Sequence, residues 1–177
     1  MFLNLRKLIL KGNQTTSISV VKFFPLLSHL DVSGSKVSDL SPLSTTSQLL
    51  VLIADRTLVS NIEVLEFCKK LGQLSLCRTV IQDISPLVHC LELKVLNLNY
   101  TNVVDIAPLT ILLKLEHLKL KKVEIFDLSP LFCCKRLSLL DISDRIVDND
   151  CCRKYKGHSE VQMLFRTLND RLEGVSV

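Results

Sequence analysis

The chain has 177 residues, 47% of them hydrophobic, and a formal charge of +4 from 22 Lys and Arg against 18 Asp and Glu. That length supports one elongated domain with a continuous core, and so mild a positive balance lacks the concentrated charge of a dedicated nucleic-acid binder. No stretch reaches the roughly 20 uninterrupted apolar residues of a membrane span, and Arg6 and Lys7 sit inside the first apolar run, where a signal peptide would carry its charges before it.

That first run reads as a strand. Leu5, Leu8 and Leu10 form the pattern LxxLxL, which returns every 22 residues in one register. The central leucines are Leu8, Leu30, Leu52, Leu74, Leu96, Leu118 and Leu140. A unit this short cannot bury its apolar edge alone and must stack on its neighbours, so the period predicts a solenoid. Within each unit the LxL alternation predicts a short strand whose leucines point inward.

Next in each unit comes a polar position occupied by Asn13, Ser35, Thr57, Thr79 and Thr101, side chains able to bond backbone where the chain turns away. Val123 and Arg145 interrupt this ladder, so the last turns are expected to be satisfied differently. The unit then runs into DLSPL, DISPL or DIAPL, with Pro42, Pro86, Pro108 and Pro130 suited to the first turn of a 3₁₀ or short α-helix. Val20 and Val64 stand where the first and third units lack that proline.

The period stops near the C-terminus, where Gln162 occupies the place of the next leucine. Ser159 and Gln162 are spaced as a capping box, and Val161, Leu164, Phe165, Leu168 and Leu172 lie on one helical face ending near Gly174. The expected organisation is therefore a repeat domain over 1–150 and a C-terminal helical cap over 151–177.

These residues carry a resemblance. The pattern LxxLxLxxTxVxDIxPL, over roughly Leu5 to Val147, is similar to the 22-residue leucine-rich repeat of the SDS22-like and internalin-like class. The resemblance implies an α/β fold: a right-handed solenoid with a parallel concave sheet of about seven short strands and a convex side of 3₁₀ or short helices. It also implies a protein partner, such as a phosphatase catalytic subunit for SDS22-like proteins or a host receptor for internalin-like ones.

The concave strands would present three outward columns. One holds Lys7, His29, Val51, Gln73, Val95, His117 and Leu139; the second Ile9, Asp31, Ile53, Ser75, Asn97, Lys119 and Asp141; the third Lys11, Ser33, Asp55, Cys77, Asn99, Lys121 and Ser143. Varied outward residues on a repeated inward pattern suit a recognition face. Lys114, Lys119, Lys121, Lys122 and His117 make the sixth unit the most basic, with Tyr100 beside it. The candidate partner-binding residues are Asn97, Asn99, Tyr100, His117, Lys119 and Lys121.

Catalysis finds little support. Cys77 and His117 would lie two strands and four residues apart, roughly 10 Å by 13 Å, where a nucleophile and its base need about 3 Å. Asp31 and Asp55, on adjacent strands within roughly 8 Å, have no cleft to raise one pKa. The five glycines form no phosphate loop. Cys133, Cys134, Cys151, Cys152 and His158 have zinc-ligand chemistry but no CxxC knuckle, leaving zinc, a disulfide or free thiols open there. Cys68, Cys90 and Cys134 share a repeat position with Phe24, Thr46 and Leu112, which suggests packing inside the coil.

The sequence thus predicts a non-catalytic interaction scaffold or regulatory subunit, binding a protein on its concave face without cofactor, metal, nucleic acid, membrane or small-molecule substrate. The odd cysteine count favours an intracellular, cytoplasmic location. A cell-surface adhesion protein binding a receptor, and a fragment of a larger multidomain protein, remain as alternatives.

Overall fold

The structure, a computed structural model, describes residues 4–143. The expected C-terminal helix, with Cys151, Cys152 and His158, lies outside the described residues. Seven strands, β1 (Lys7–Ile9), β2 (His29–Asp31), β3 (Val51–Ile53), β4 (Gln73–Ser75), β5 (Val95–Asn97), β6 (His117–Lys119) and β7 (Leu139–Asp141), form one parallel sheet in sequence order. Every pairing is in register, so Leu52 faces Leu74 and Leu74 faces Leu96 across adjacent strands.

Each three-residue strand centres on one inward leucine, and from β2 to β6 the second apolar residue of LxL is buried just past the strand end. Leu30, Leu52, Leu74, Leu96 and Leu118 are essentially inaccessible, while the residues flanking them are mostly half-buried, with Ser75 buried and His117 exposed. A second buried column comes from the return path, in Val21, Leu43, Leu65, Leu87, Leu109 and Leu131, and a third from Val37, Val59, Ile81, Val103 and Ile125. Each such side chain contributes roughly 1.5–3 kcal/mol by leaving water. Leu8 and Leu140, in the terminal described repeats, are only half-buried.

The return path is 3₁₀ throughout, in Ser19–Phe23, Ser41–Thr45, Glu63–Phe67, Ser85–His89, Ala107–Ile111 and Ser129–Cys133. A side-chain oxygen two residues earlier captures the first N–H of each. Ser17 serves Ser19 at 3.2 Å, Asp39 serves Ser41 at 2.7 Å and Asn61 serves Glu63 at 2.7 Å. Asp83 does the same for Ser85 at 2.7 Å, Asp105 for Ala107 at 2.8 Å and Asp127 for Ser129 at 2.8 Å. This capture explains why Ser19–Phe23 and Glu63–Phe67 form without the proline: the polar residue starts the turn and proline only reinforces it.

The threonine ladder works as expected. The hydroxyls of Thr57, Thr79 and Thr101 donate at 2.7 Å to the carbonyls of Ala54, Leu76 and Leu98, each three residues back and buried. At Val123 the Leu120 carbonyl keeps only the backbone N–H bond, at 3.3 Å, which Thr79 also makes to Leu76 at 3.2 Å beside its hydroxyl bond. Val123 itself is buried, so an apolar side chain has replaced the bond.

Between strand and ladder lies a feature that periodicity does not reveal. Gly12, Gly34, Arg56, Arg78, Tyr100 and Lys122 all have φ between 54° and 69°, the left-handed region. The reversal lets the residue's own N–H reach the next repeat: Gly34 donates to Asp55 O at 2.7 Å, Arg56 to Cys77 O at 2.7 Å and Arg78 to Asn99 O at 2.8 Å. Only glycine adopts that backbone without cost, and other L residues forfeit about 1 kcal/mol there.

Three outcomes follow from these ladders. Arg56→Gly should stabilise the protein by about 1 kcal/mol and Gly34→Ala destabilise it by a similar amount, since a Cβ on Gly34 would approach nothing closer than 3.7 Å and only the backbone resists; thermal melts of the two variants check both signs. Thr101→Val should cost about 1 kcal/mol for the lost buried hydrogen bond, measurable by urea unfolding at unchanged m-value.

Candidate protein-binding surface

The face of the sheet turned away from the core carries the three outward columns, and their polar members are bonded to one another. Asp55 accepts the Ser75 hydroxyl at 2.5 Å and the Cys77 N–H at 2.8 Å. Asn97 donates to the Ser75 hydroxyl at 3.0 Å and accepts the Asn99 N–H at 3.1 Å, and Asn99 in turn accepts the Lys121 N–H at 2.7 Å. The chain of bonds runs across four repeats. At the flanks Asp31 takes the hydroxyl and N–H of Ser33, and Asp141 takes those of Ser143.

This network divides the six candidate residues. All six lie on β5, β6 or the turns that follow, so the structure brings them together. Asn97 and Asn99 are half-buried and use their amide oxygens to hold backbone, forming a fixed floor. His117 is exposed, and Lys119, Lys121 and Tyr100 are half-exposed above that floor. Tyr100 lies under the Arg78 guanidinium, 4.6 Å from its ring centroid, in a cation–π contact.

The positive charges act on their neighbours. Partial burial opposes ionisation of Asp141, but the hydroxyl and N–H of Ser143 and the charges of Lys121 and Lys119 outweigh it and hold the carboxyl below its ordinary value. At Cys77, burial and then the Asp55 charge raise the thiol pKa, against opposing pulls from Arg78, Arg56 and Lys119. Arg56, Arg78 and Lys122 fall outside the candidates drawn from the sequence. Gly12 and Gly34 at the same register are the available signal, because they mark a left-handed position whose other occupants must point outward.

The structure assembles no catalytic pair from the residues considered. Cys77 follows β4 and His117 begins β6, two strands away. Asp31 and Asp55 each bond within their own turn or to the next one, and neither faces the other as an acid–base couple. Among the described residues no three His, Cys, Asp or Glu side chains converge as a metal site. Cys133 is exposed and Cys134 buried.

Cys68, Cys90 and Cys134 fill the coil interior as their shared position suggests, alongside Phe24, Thr46 and Leu112. Burial pushes Cys68 up to about 11, Cys90 up to about 12 and Cys134 up to about 11, from 9.0. Below pH 9 the thiols are neutral in both states and their packing is intact. Above it the unfolded chain releases protons that the folded chain retains, so stability falls as pH rises toward 11. A triple Cys→Ala variant should show a shallower decline in melting temperature over that interval. Mass-mapped alkylation of the native parent near pH 8 should label Cys133 and spare these three.

No family model matches the chain and no curated protein is similar enough in sequence to count as a relative. Solved structures are similar in fold. Internalin C2 from Listeria monocytogenes matches with a TM-score of 0.74 and 29% identity over 76% of this chain, and internalin inlF from the same organism with 0.65 and 26% over 77%. The ectodomain of the Arabidopsis thaliana receptor kinase GASSHO1/SCHENGEN3, solved in complex with Casparian Strip Integrity Factor 2, matches with 0.69 and 22% over 78% of this chain and 18% of its own, a likeness of fold. The chain spans 60% of the internalin C2 chain and 47% of the internalin inlF chain. With seven units in one register, a parallel sheet backed by 3₁₀ turns and these neighbours, the chain is a leucine-rich repeat protein, similar in fold to the internalins.

Proposed function

We propose that this chain is a non-catalytic interaction scaffold, a regulatory or adaptor element, that holds a protein partner on the open face of β5 and β6 through Tyr100, His117, Lys119 and Lys121. The carrying observation is the contrast between columns. Inward positions repeat leucine almost without change, while outward positions vary from strand to strand and sit on a floor whose hydrogen bonds are already made. The floor beneath the contact residues needs no further ordering when a partner binds, which limits the entropic cost to the side chains above it. The fold is one generally used for protein binding, and the plant receptor of the same fold is captured with its factor bound.

The reading includes an intracellular location, supported by Cys68, Cys90 and Cys134 each buried as an unpaired thiol. The likeness to internalins supports instead a surface protein that engages a receptor. Fractionation of the source cell separates the two readings.

A variant carrying His117→Glu and Lys119→Glu, folded by circular dichroism, should lose at least about tenfold in affinity for any partner that the parent captures, since reversed charges on a docking face act on association and specificity together. Asn97 and Asn99 are left intact because they hold backbone. Equal capture by parent and variant would remove the sheet face as the binding site.

A further inference from the structure

Arg56, Arg78, Tyr100 and Lys122 hold the left-handed position of four successive repeats. At roughly 4.8 Å per strand they form a ridge about 14 Å long beside the open face. Their backbone is anchored: Arg56, Arg78 and Tyr100 each donate an N–H to the following repeat, at 2.7, 2.8 and 2.8 Å. The residues therefore stand at fixed intervals. Arg78 stacks on Tyr100, which holds the guanidinium in place, while Arg56 and Lys122 are exposed. Lys119 and Lys121 line the inner flank.

Among the described residues no carboxylate lies within pairing distance of Arg56, Arg78, Lys119 or Lys122; the ion pair found there is Lys114 with Glu92, at 2.5 Å, away from the ridge. Asp55 is hydrogen-bonded by Ser75 and Cys77, and Asp141 by Ser143, with Lys121 and Lys119 acting on Asp141 without a direct ion pair from Lys119. Like charges held this close raise the energy of the free protein and are relieved by a polyanion. Each non-glycine residue also keeps a backbone cost that glycine, used at Gly12 and Gly34, would avoid.

We propose that this ridge binds an acidic segment of a protein partner: an extended run containing several Asp or Glu, its carboxylates paired with Arg56, Arg78 and Lys122 and its chain passing over Tyr100. The inference rests on the protein-binding reading above and adds the partner's chemistry. An extended chain of about four or five residues spans about 14 Å, with alternate carboxylates on one side. Bidentate Arg–carboxylate geometry suits both arginines. A single aromatic on so short a ridge favours a peptide over single-stranded nucleic acid, which uses several stacking rings along a longer track.

The probe is a fluorescein-labelled octaglutamate peptide, read by anisotropy against the full chain, with an equally labelled oligothymidine as comparison. The test variant is Arg56→Gly, Arg78→Gly and Lys122→Gly together, in which removing the charges also removes the backbone strain, so lost binding cannot be ascribed to unfolding. A control variant, Lys69→Gln, Lys70→Gln and Lys135→Gln, removes equal charge from the 3₁₀ side.

Octaglutamate should bind the parent, weaken about tenfold or more in the glycine variant and change less than about twofold in the control, with affinity falling as salt rises. No binding to the parent, equal loss in both variants, or tighter binding of oligothymidine than of octaglutamate would each overturn the proposal. A captured partner lost by the His117→Glu, Lys119→Glu variant but retained by the glycine variant would overturn the ridge alone. Retention by both would overturn the sheet-face reading with it.

Discussion

The structure depends on one constraint: a leucine on every strand must sit directly opposite the leucine of the next. Leu30, Leu52, Leu74, Leu96 and Leu118 meet this by parallel, in-register pairing, and a slip of one residue would turn each of them out to water. With that register fixed, the backbone bonds beyond the strands align as well. Ala54 donates to Ser75 O at 2.8 Å, Leu76 to Asn97 O at 2.9 Å and, two residues further on, Arg78 to Asn99 O at 2.8 Å. The 3₁₀ turns then have a set length to cover. Their hydrogen-bonding starters, Ser17, Asp39, Asn61, Asp83, Asp105 and Asp127, sit where the return must begin.

Most of this is legible in the sequence because its physical causes are local and repeated. The inward leucines recur in seven units, and the threonines and buried thiols in three each at fixed places in the period, so noisy copies add up to one clear signal. The left-handed column stays hidden for the opposite reason. Its occupants are glycine, arginine, tyrosine and lysine, which have no side-chain chemistry common to all of them, only a backbone angle. No propensity scale groups them, and only Gly12 and Gly34 hint at what Arg56 and Arg78 must do. The candidate residues on β5 and β6 share one face, as the alternation of the strands requires, but the division between floor and contact is not written in it. Whether Asn99 reaches outward or holds Lys121 depends on a distance of 2.7 Å between chain segments, and a string of letters does not contain it.

The open face combines two properties that usually compete. Its polar side chains are numerous enough to recognise a partner, yet the bonds from Asp55 through Ser75 and Asn97 to Asn99 leave few of them free to move. Conformational freedom is left to the longer side chains above, Lys119 among them. Burial pushes the interior thiols away from reactivity in the same way, so chemistry is withdrawn from the inside while charge is displayed outside.

In-register stacking also gives the molecule a length standard. Any two outward side chains in the same column are separated by a whole number of strand spacings, about 4.8 Å each, whatever residues lie between. Because each junction between neighbouring repeats presents the same leucine and the same carbonyls, a unit inserted or excised as a block would rejoin its flanks without misfit. Gene duplication could then move one half of a binding surface relative to the other in quantised steps, changing the span a partner must bridge while leaving every local contact as it was.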